Sequence, residues 1–68
     1  MTSATAPSRL RGILRATERG YRLETDDGHI WRVEGAVPAA ELVDRSVVVE
    51  AYRRTATLLD LLWIGPAE

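Results

Sequence analysis

The sequence predicts a mainly β fold: a small five-stranded barrel with one short α-helix between strands three and four. Three observations carry this expectation. Apolar and polar residues alternate with period two in several short runs, as half-buried strands require. Turn-forming residues separate those runs at Glu18-Arg19-Gly20 and at Asp26-Asp27-Gly28. A single segment, Gly35 to Arg45, breaks the alternation and spaces its apolar residues as a helix does.

The first strand is expected over Arg9 to Thr17. Leu10, Gly12, Leu14 and Ala16 share one face, and Arg9, Arg11, Ile13 and Arg15 share the other. The stretch from Tyr21 to Gly35 then reads as a hairpin whose register follows from its loop. A two-residue loop, Asp27-Gly28, would set Leu23 against Arg32 and Tyr21 against Glu34. A three-residue loop, Asp26-Asp27-Gly28, sets Leu23 against Trp31 and Tyr21 against Val33, and one face becomes wholly apolar. A one-residue slip moves every side chain to the wrong face, so the three-residue loop is expected. Gly28 also stands where such loops want a left-handed residue. This register places Arg22 directly across from Arg32 on the outer face, with Glu24 and Glu34 near enough to offset their repulsion.

Pro38 suits the first turn of a helix, and Ala39, Leu42 and Val43 then share a face, giving a helix of about two turns that needs packing to survive. Ser46 to Arg54 is a β-branched strand with Val47, Val49 and Ala51 on one face and Val48, Glu50 and Tyr52 on the other. Thr55 to Gly65 turns and returns as the last strand. Leu59, Leu61 and Trp63 share one face; Leu58, Asp60, Leu62 and Ile64 share the opposite one, so both faces are largely apolar. Three strands, a short helix and two strands is the order of the OB-fold, a small, partly open Greek-key barrel.

Size and composition narrow the function. At 68 residues the chain makes one domain, and folding hides only roughly 60% of the surface of so short a chain. With no cysteine it has neither disulfides nor thiolate metal ligands. Nine basic residues face ten acidic ones, a balance unlike that of most nucleic-acid binders. All nine are arginine, which fits a GC-rich genome or, alternatively, selection for forked recognition of phosphate or carboxylate. No run is long enough to span a membrane, and the polar start lacks a signal-peptide core. Residues 1–8 are therefore read as a flexible tail, residues 9–65 as a single OB-like domain, and the chain as cytoplasmic.

Several segments carry a resemblance: GILRATERGYRLETDDGHIWRVEG, LVDRSVVVEAYRR and TLLDLLWI. Together they resemble a family of very short bacterial proteins of unknown function. Its pattern runs G-x-L, L-E-T-D-D-G, W-R-L and V-x-V-E-G-x-R, and ends L-D-V-x-W-I. The resemblance covers Leu10 to Ile64. Its most specific parts are the Asp26-Asp27-Gly28 turn, Trp31 and the ending Leu59-Asp60 with Trp63-Ile64. The chain departs from the pattern at Ala51, where the family has glycine. The resemblance implies a shared fold and supplies no activity or ligand.

No catalytic constellation is visible. His29 is the only histidine, and Asp26 and Asp27 beside it are read as turn chemistry rather than as a cation site. No glycine loop cradles a phosphate, and Gly12 within a strand is read as a bulge or a tight barrel corner. Neither enzyme activity, cofactor nor metal is expected. Trp31 and Trp63 are expected in the core, and Tyr21 faces it with its hydroxyl at a rim. Two surfaces remain. The first is an anionic-ligand surface: Arg11, Arg15, Arg22 and Arg32 form an outward stripe, and Tyr52 with Arg53 and Arg54 offers a ring for a base beside cations for a phosphate. The second is a protein interface at Leu58, Leu62 and Ile64, the apolar outer side of the last strand. A protein-binding or self-associating module ranks first. Binding of single-stranded nucleic acid or another anion ranks second, because the stripe carries Ile13 and Ile30 where stacking aromatics are wanted.

Overall fold

The computed structural model describes residues 6–36, 38 and 40–67. Its five strands are β1 (Ser8–Thr17), β2 (Gly20–Thr25), β3 (Ile30–Gly35), β4 (Ser46–Arg53) and β5 (Leu58–Pro66). They join edge to edge in the order β1-β2-β3-β5-β4, and β4 pairs again with β1 to close a ring of hydrogen bonds. Neighbours run antiparallel except β3 and β5, which are parallel. Closure gives each of these strands two partners, so none is an edge along its whole length.

The length of β1 makes closure possible. Its first part, Ser8 to Ile13, pairs with β4, and its second, Gly12 to Thr17, pairs with β2. The strand turns a corner where these parts overlap, and Gly12 stands there, buried. A Cβ at Gly12 would lie 2.8 Å from both the Glu24 carbonyl carbon and the Thr25 Cα. This close backbone approach fits the expectation of a bulge or a tight corner at Gly12. β1 begins at Ser8, one residue inside the segment read as a tail; residues 1–5 of that segment lie outside the described residues.

The hairpin adopts the expected register. Leu23 faces Trp31, Tyr21 faces Val33 and Arg22 faces Arg32. The Thr25 N–H donates to the His29 carbonyl at 2.9 Å, and the Gly28 N–H to the Thr25 carbonyl at 2.9 Å, with Gly28 at φ 87°. The Asp27 carboxylate accepts from the Thr25 hydroxyl and from the His29 N–H. These donors, the Thr25 hydroxyl first, hold the Asp27 pKa below its ordinary 3.8. A carboxylate whose pKa is depressed by folding stabilises the fold above its unfolded pKa. That contribution disappears as pH falls through the lower folded value. Urea unfolding midpoints measured from pH 6 downward should therefore fall less steeply in Asp27→Asn than in the native chain, in the range just below 3.8. Parallel acid limbs would show that the turn bonds contribute nothing.

Inward side chains fill the ring. Leu14, Leu23, Trp31, Leu42, Val47, Val49, Ala51, Leu59 and Leu61 are buried, and Leu10, Tyr21, Val33, Val43 and Ile64 pack against them. Each buried leucine or valine side chain contributes about 1.5–3 kcal/mol relative to exposure.

Two expectations are corrected. The two-turn α-helix between strands three and four is not formed; among the described residues the segment holds a single 3-10 turn, Ala40–Leu42. Ala39, expected on the helix face, lies outside the described residues. The reason is competition for backbone groups. The Val43 N–H returns to Ala40 and the Arg45 N–H to Leu42, both at 3.2 Å, in three-residue steps. The Asp44 N–H, which would continue an α-helix, instead meets the Leu14 carbonyl at 2.6 Å, and the Leu14 N–H meets the Arg45 carbonyl at 3.2 Å. Asp44 then turns the chain at φ 66° into β4. Leu42 still plugs the core as expected.

The second correction concerns β5. Trp63 was expected in the core and Ile64 on the outer side. Instead Trp63 is 51% exposed, and Ile64 lies opposite the buried Val49 and packs against the core. The cause is a bulge. The β4–β5 register shifts between Glu50, opposite Trp63, and Ala51, opposite Leu61, so Leu62 is extra. Two residues against one turn Leu62 and Trp63 outward together and reverse the alternation beyond them.

Candidate functional site

The predicted arginine stripe lies on the outer side of β1, β2 and β3, but most of its charge is already matched. Arg15 on β1 reaches Asp44 at 3.0 Å and Glu24 at 3.4 Å, tying β1, β2 and the turn before β4 together. Its hydrogen bond to Asp44 foremost, and then Glu24, raises its pKa above the ordinary arginine value. Arg22 meets Glu24 at 2.9 Å, and Arg32 meets Glu34 at 3.7 Å, each two residues along its own strand. Arg11 is exposed on β1 opposite Val48, and among the described residues it has no carboxylate within ion-pair reach.

Tyr52, Arg53 and Arg54 do not form one cluster. Arg53 continues the inward series of Val47, Val49 and Ala51 and sets its guanidinium 5.8 Å from the centre of the Trp31 ring. His29 covers the same indole, with ring centres 4.4 Å apart, and its Nε2 lies 2.8 Å from the Ala56 carbonyl. A guanidinium and an imidazole thus meet one tryptophan, and the imidazole also ties the start of β3 to the loop between β4 and β5. Arg54 lies on the other side of the strand. It pairs with Asp60 and stands 5.7 Å from the Tyr52 ring centre, so Tyr52 is half-buried beneath it. Period two along β4 separates Arg53 from its two neighbours in sequence.

The predicted interface residues are also divided. Leu58 is half-buried, Leu62 is 48% exposed, and Ile64 faces the interior after the bulge. Trp63, which sequence reasoning assigned to the core, joins Leu62 on the surface. The outer part of its indole lies against Gly65: a Cβ there would sit 2.6 and 2.7 Å from two of the ring carbons. The missing side chain at Gly65 leaves the room the ring occupies. Val48 lies opposite Gly65, and Glu50, opposite Trp63, joins Arg9 in an ion pair that crosses from β1 to β4.

A groove of about 530 Å³ lies between β2, β3 and the turn that joins β1 to β2. Arg22 and Arg32 of the predicted stripe line it. So do Ile30, expected on the same face, Tyr21 and Val33 of the hairpin's apolar face, and Arg19, a turn residue that no strand pattern assigns to a face. Among the described residues, no three His, Cys, Asp or Glu side chains gather closely enough to hold a metal ion. No helix of the described residues is long and apolar enough to cross a membrane.

Fold and surface together define a small, mainly β domain in which, among the described residues, five of the nine arginines pair with carboxylates. Residues 11–67 match the model of the family described as "Protein of unknown function (DUF5818)", and the chain belongs to that family. An uncharacterised family is what the resemblance in the sequence implied. No curated protein and no solved structure matches the chain.

Proposed function

We propose that the chain is a non-enzymatic OB-like β-barrel that works as a contact module, binding another protein or a second copy of itself. The strand order β1-β2-β3-β5-β4 with parallel β3 and β5 supports the OB-like assignment. The observation that carries the function is the β5 bulge, which sets Leu62 and Trp63 side by side on the surface. A domain this small gains stability by covering such a patch, and tryptophan is enriched at protein contacts. The ionic border, an Arg9–Glu50 pair, carries both signs and suits a protein surface better than a polyanion.

Binding of single-stranded nucleic acid ranks second in this reading. It needs aromatic platforms among cations. Here Trp63 and Tyr52 stand on β5 and β4, whereas the stripe of Arg15, Arg22 and Arg32 runs over β1 to β3 and is matched by Glu24, Glu34 and Asp44. The non-enzymatic assignment is supported by His29, whose ring is held between Trp31 and the Ala56 carbonyl. A bacterial, cytoplasmic setting belongs to the same reading, supported by a core that relies on packing without any cystine.

Leu62→Glu tests the contact surface. Leu62 is half exposed, so the monomer's unfolding free energy should change by no more than about 0.5 kcal/mol. Sedimentation equilibrium should show the native chain above its 7.5 kDa monomer mass, or in complex with a co-purifying protein, and Leu62→Glu without that association. A native chain that stays at 7.5 kDa up to millimolar concentration and brings no protein with it sinks the proposal.

A further inference from the structure

The groove between β2, β3 and the β1–β2 turn is a second surface, independent of the contact patch on β5. We infer that it binds a small carboxylate carrying an apolar body. Three features of the groove support this.

The first is the facing arginines. The hairpin register sets Arg22 directly across from Arg32. Directly opposed residues on one face stand about 4.5–5.5 Å apart at Cβ, and like charges there repel. Each is paired through one guanidinium nitrogen only, so both keep N–H donors to spare. Arg22 shares Glu24 with Arg15, and Arg32 reaches Glu34 only at 3.7 Å. An oxyanion placed between two guanidinium forks relieves the repulsion and accepts from both.

The second is Arg19. It lies on the exposed turn at the groove's end, and among the described residues it has no carboxylate within ion-pair reach. The lining holds three arginines against two glutamates, Glu18 and Glu34, and Glu24 just outside it pairs with Arg22, so the groove carries little net charge. A groove with donors to spare but little net positive charge suits a monoanion better than a phosphate dianion.

The third is the apolar lining. Ile30 is 52% exposed, and Tyr21 and Val33 border the same space. An outward isoleucine beside two arginines offers an apolar contact next to the charge site. The lining is aliphatic apart from Tyr21, so it suits a saturated or aryl-alkyl body better than a stacked base. The volume, about 530 Å³, falls within the range of sites for small molecules.

The test follows backbone amide shifts of the full chain during titration with 4-phenylbutyrate. Its neutral amide and 3-phenylpropyl phosphate serve as matched probes. The carboxylate should give saturable shifts centred on Arg22, Ile30, Arg32 and Val33, with a Kd of about 1 mM. The neutral amide should bind at least about tenfold more weakly, since it loses the charge-assisted bonds. Arg22→Gln and Arg32→Gln should each weaken the carboxylate about tenfold. Glu34→Gln, which removes a competing carboxylate, should tighten it about threefold. That gain cannot come from a damaged fold, so the test stands even if an arginine variant unfolds. The inference is overturned by any of four results: no saturable shift, an amide that binds as well as the carboxylate, a phosphate that binds tenfold more tightly, or no gain in Glu34→Gln. Shifts centred on Leu62 and Trp63 would also overturn it, without touching the contact surface proposed there.

Discussion

Gly12→Ala should destabilise the domain by about 3 kcal/mol, the upper part of the range for forcing atoms into a packed interior. The added methyl has nowhere to go. Its neighbours would be the Glu24 carbonyl and the Thr25 Cα, backbone atoms of the adjacent strand, at 2.8 Å or less. A flexible side chain could swing away, but a paired strand cannot without opening the ladder between β1 and β2. The same corner lets β1 serve both β2 and β4, so the strain falls on closure of the whole ring. A domain of this size has a total stability of only roughly 3–10 kcal/mol. Urea unfolding followed by circular dichroism should show Gly12→Ala largely unfolded or with a much lower midpoint. Gly20→Ala is the internal comparison. Gly20 has φ 133° but nothing within 4 Å of its added Cβ, so only backbone strain of about 1–3 kcal/mol applies. If Gly12→Ala is no worse than Gly20→Ala, β1 does not turn its corner there.

Leu23→Ala should remove about 3–5 kcal/mol, the cost of lost transfer free energy plus an unfilled cavity. Leu23 has no exposed surface and lies opposite Trp31, whose far side is covered by His29 and Arg53. An indole held from several sides cannot collapse into the space a leucine vacates. Leu62→Ala, by contrast, should change stability by at most about 0.5 kcal/mol, because Leu62 is half exposed. A double-mutant cycle between Leu23 and Trp31 should give a coupling of about 1 kcal/mol. Equal losses from Leu23→Ala and Leu62→Ala would mean that the hairpin does not bury the face its register implies.

The arginine surface was legible in part. Alternation along β1 to β3 put Arg11, Arg15, Arg22 and Arg32 outside, and the hairpin register paired Arg22 with Arg32. The partners of Arg15 were only half visible. Glu24 lies on the neighbouring strand, but Asp44 comes from a turn that returns to β1 through the Leu14 backbone, a long-range contact with no local signal. Arg19 escaped notice because a turn residue belongs to no face until the groove beside it exists.

The sequence by itself determined the mainly β fold, the five strands and the hairpin register. Alternation and loop length leave Leu23, Trp31, Tyr21 and Val33 only one shared face, so local information sufficed. Tertiary structure alone decided the rest. Ala40 to Arg45 has a helical spacing of apolar residues, but the Leu14 backbone claims the groups an α-helix would need, and a 3-10 turn results. Leu58 to Ile64 is apolar in either phase, so its own pattern cannot say which side chains go inside. Pairing with β4 made the choice, and the extra residue turned Trp63 out and Ile64 in. Where both faces of a strand bury comparable apolar area, burial no longer selects the register, and the hydrogen-bonding partner does.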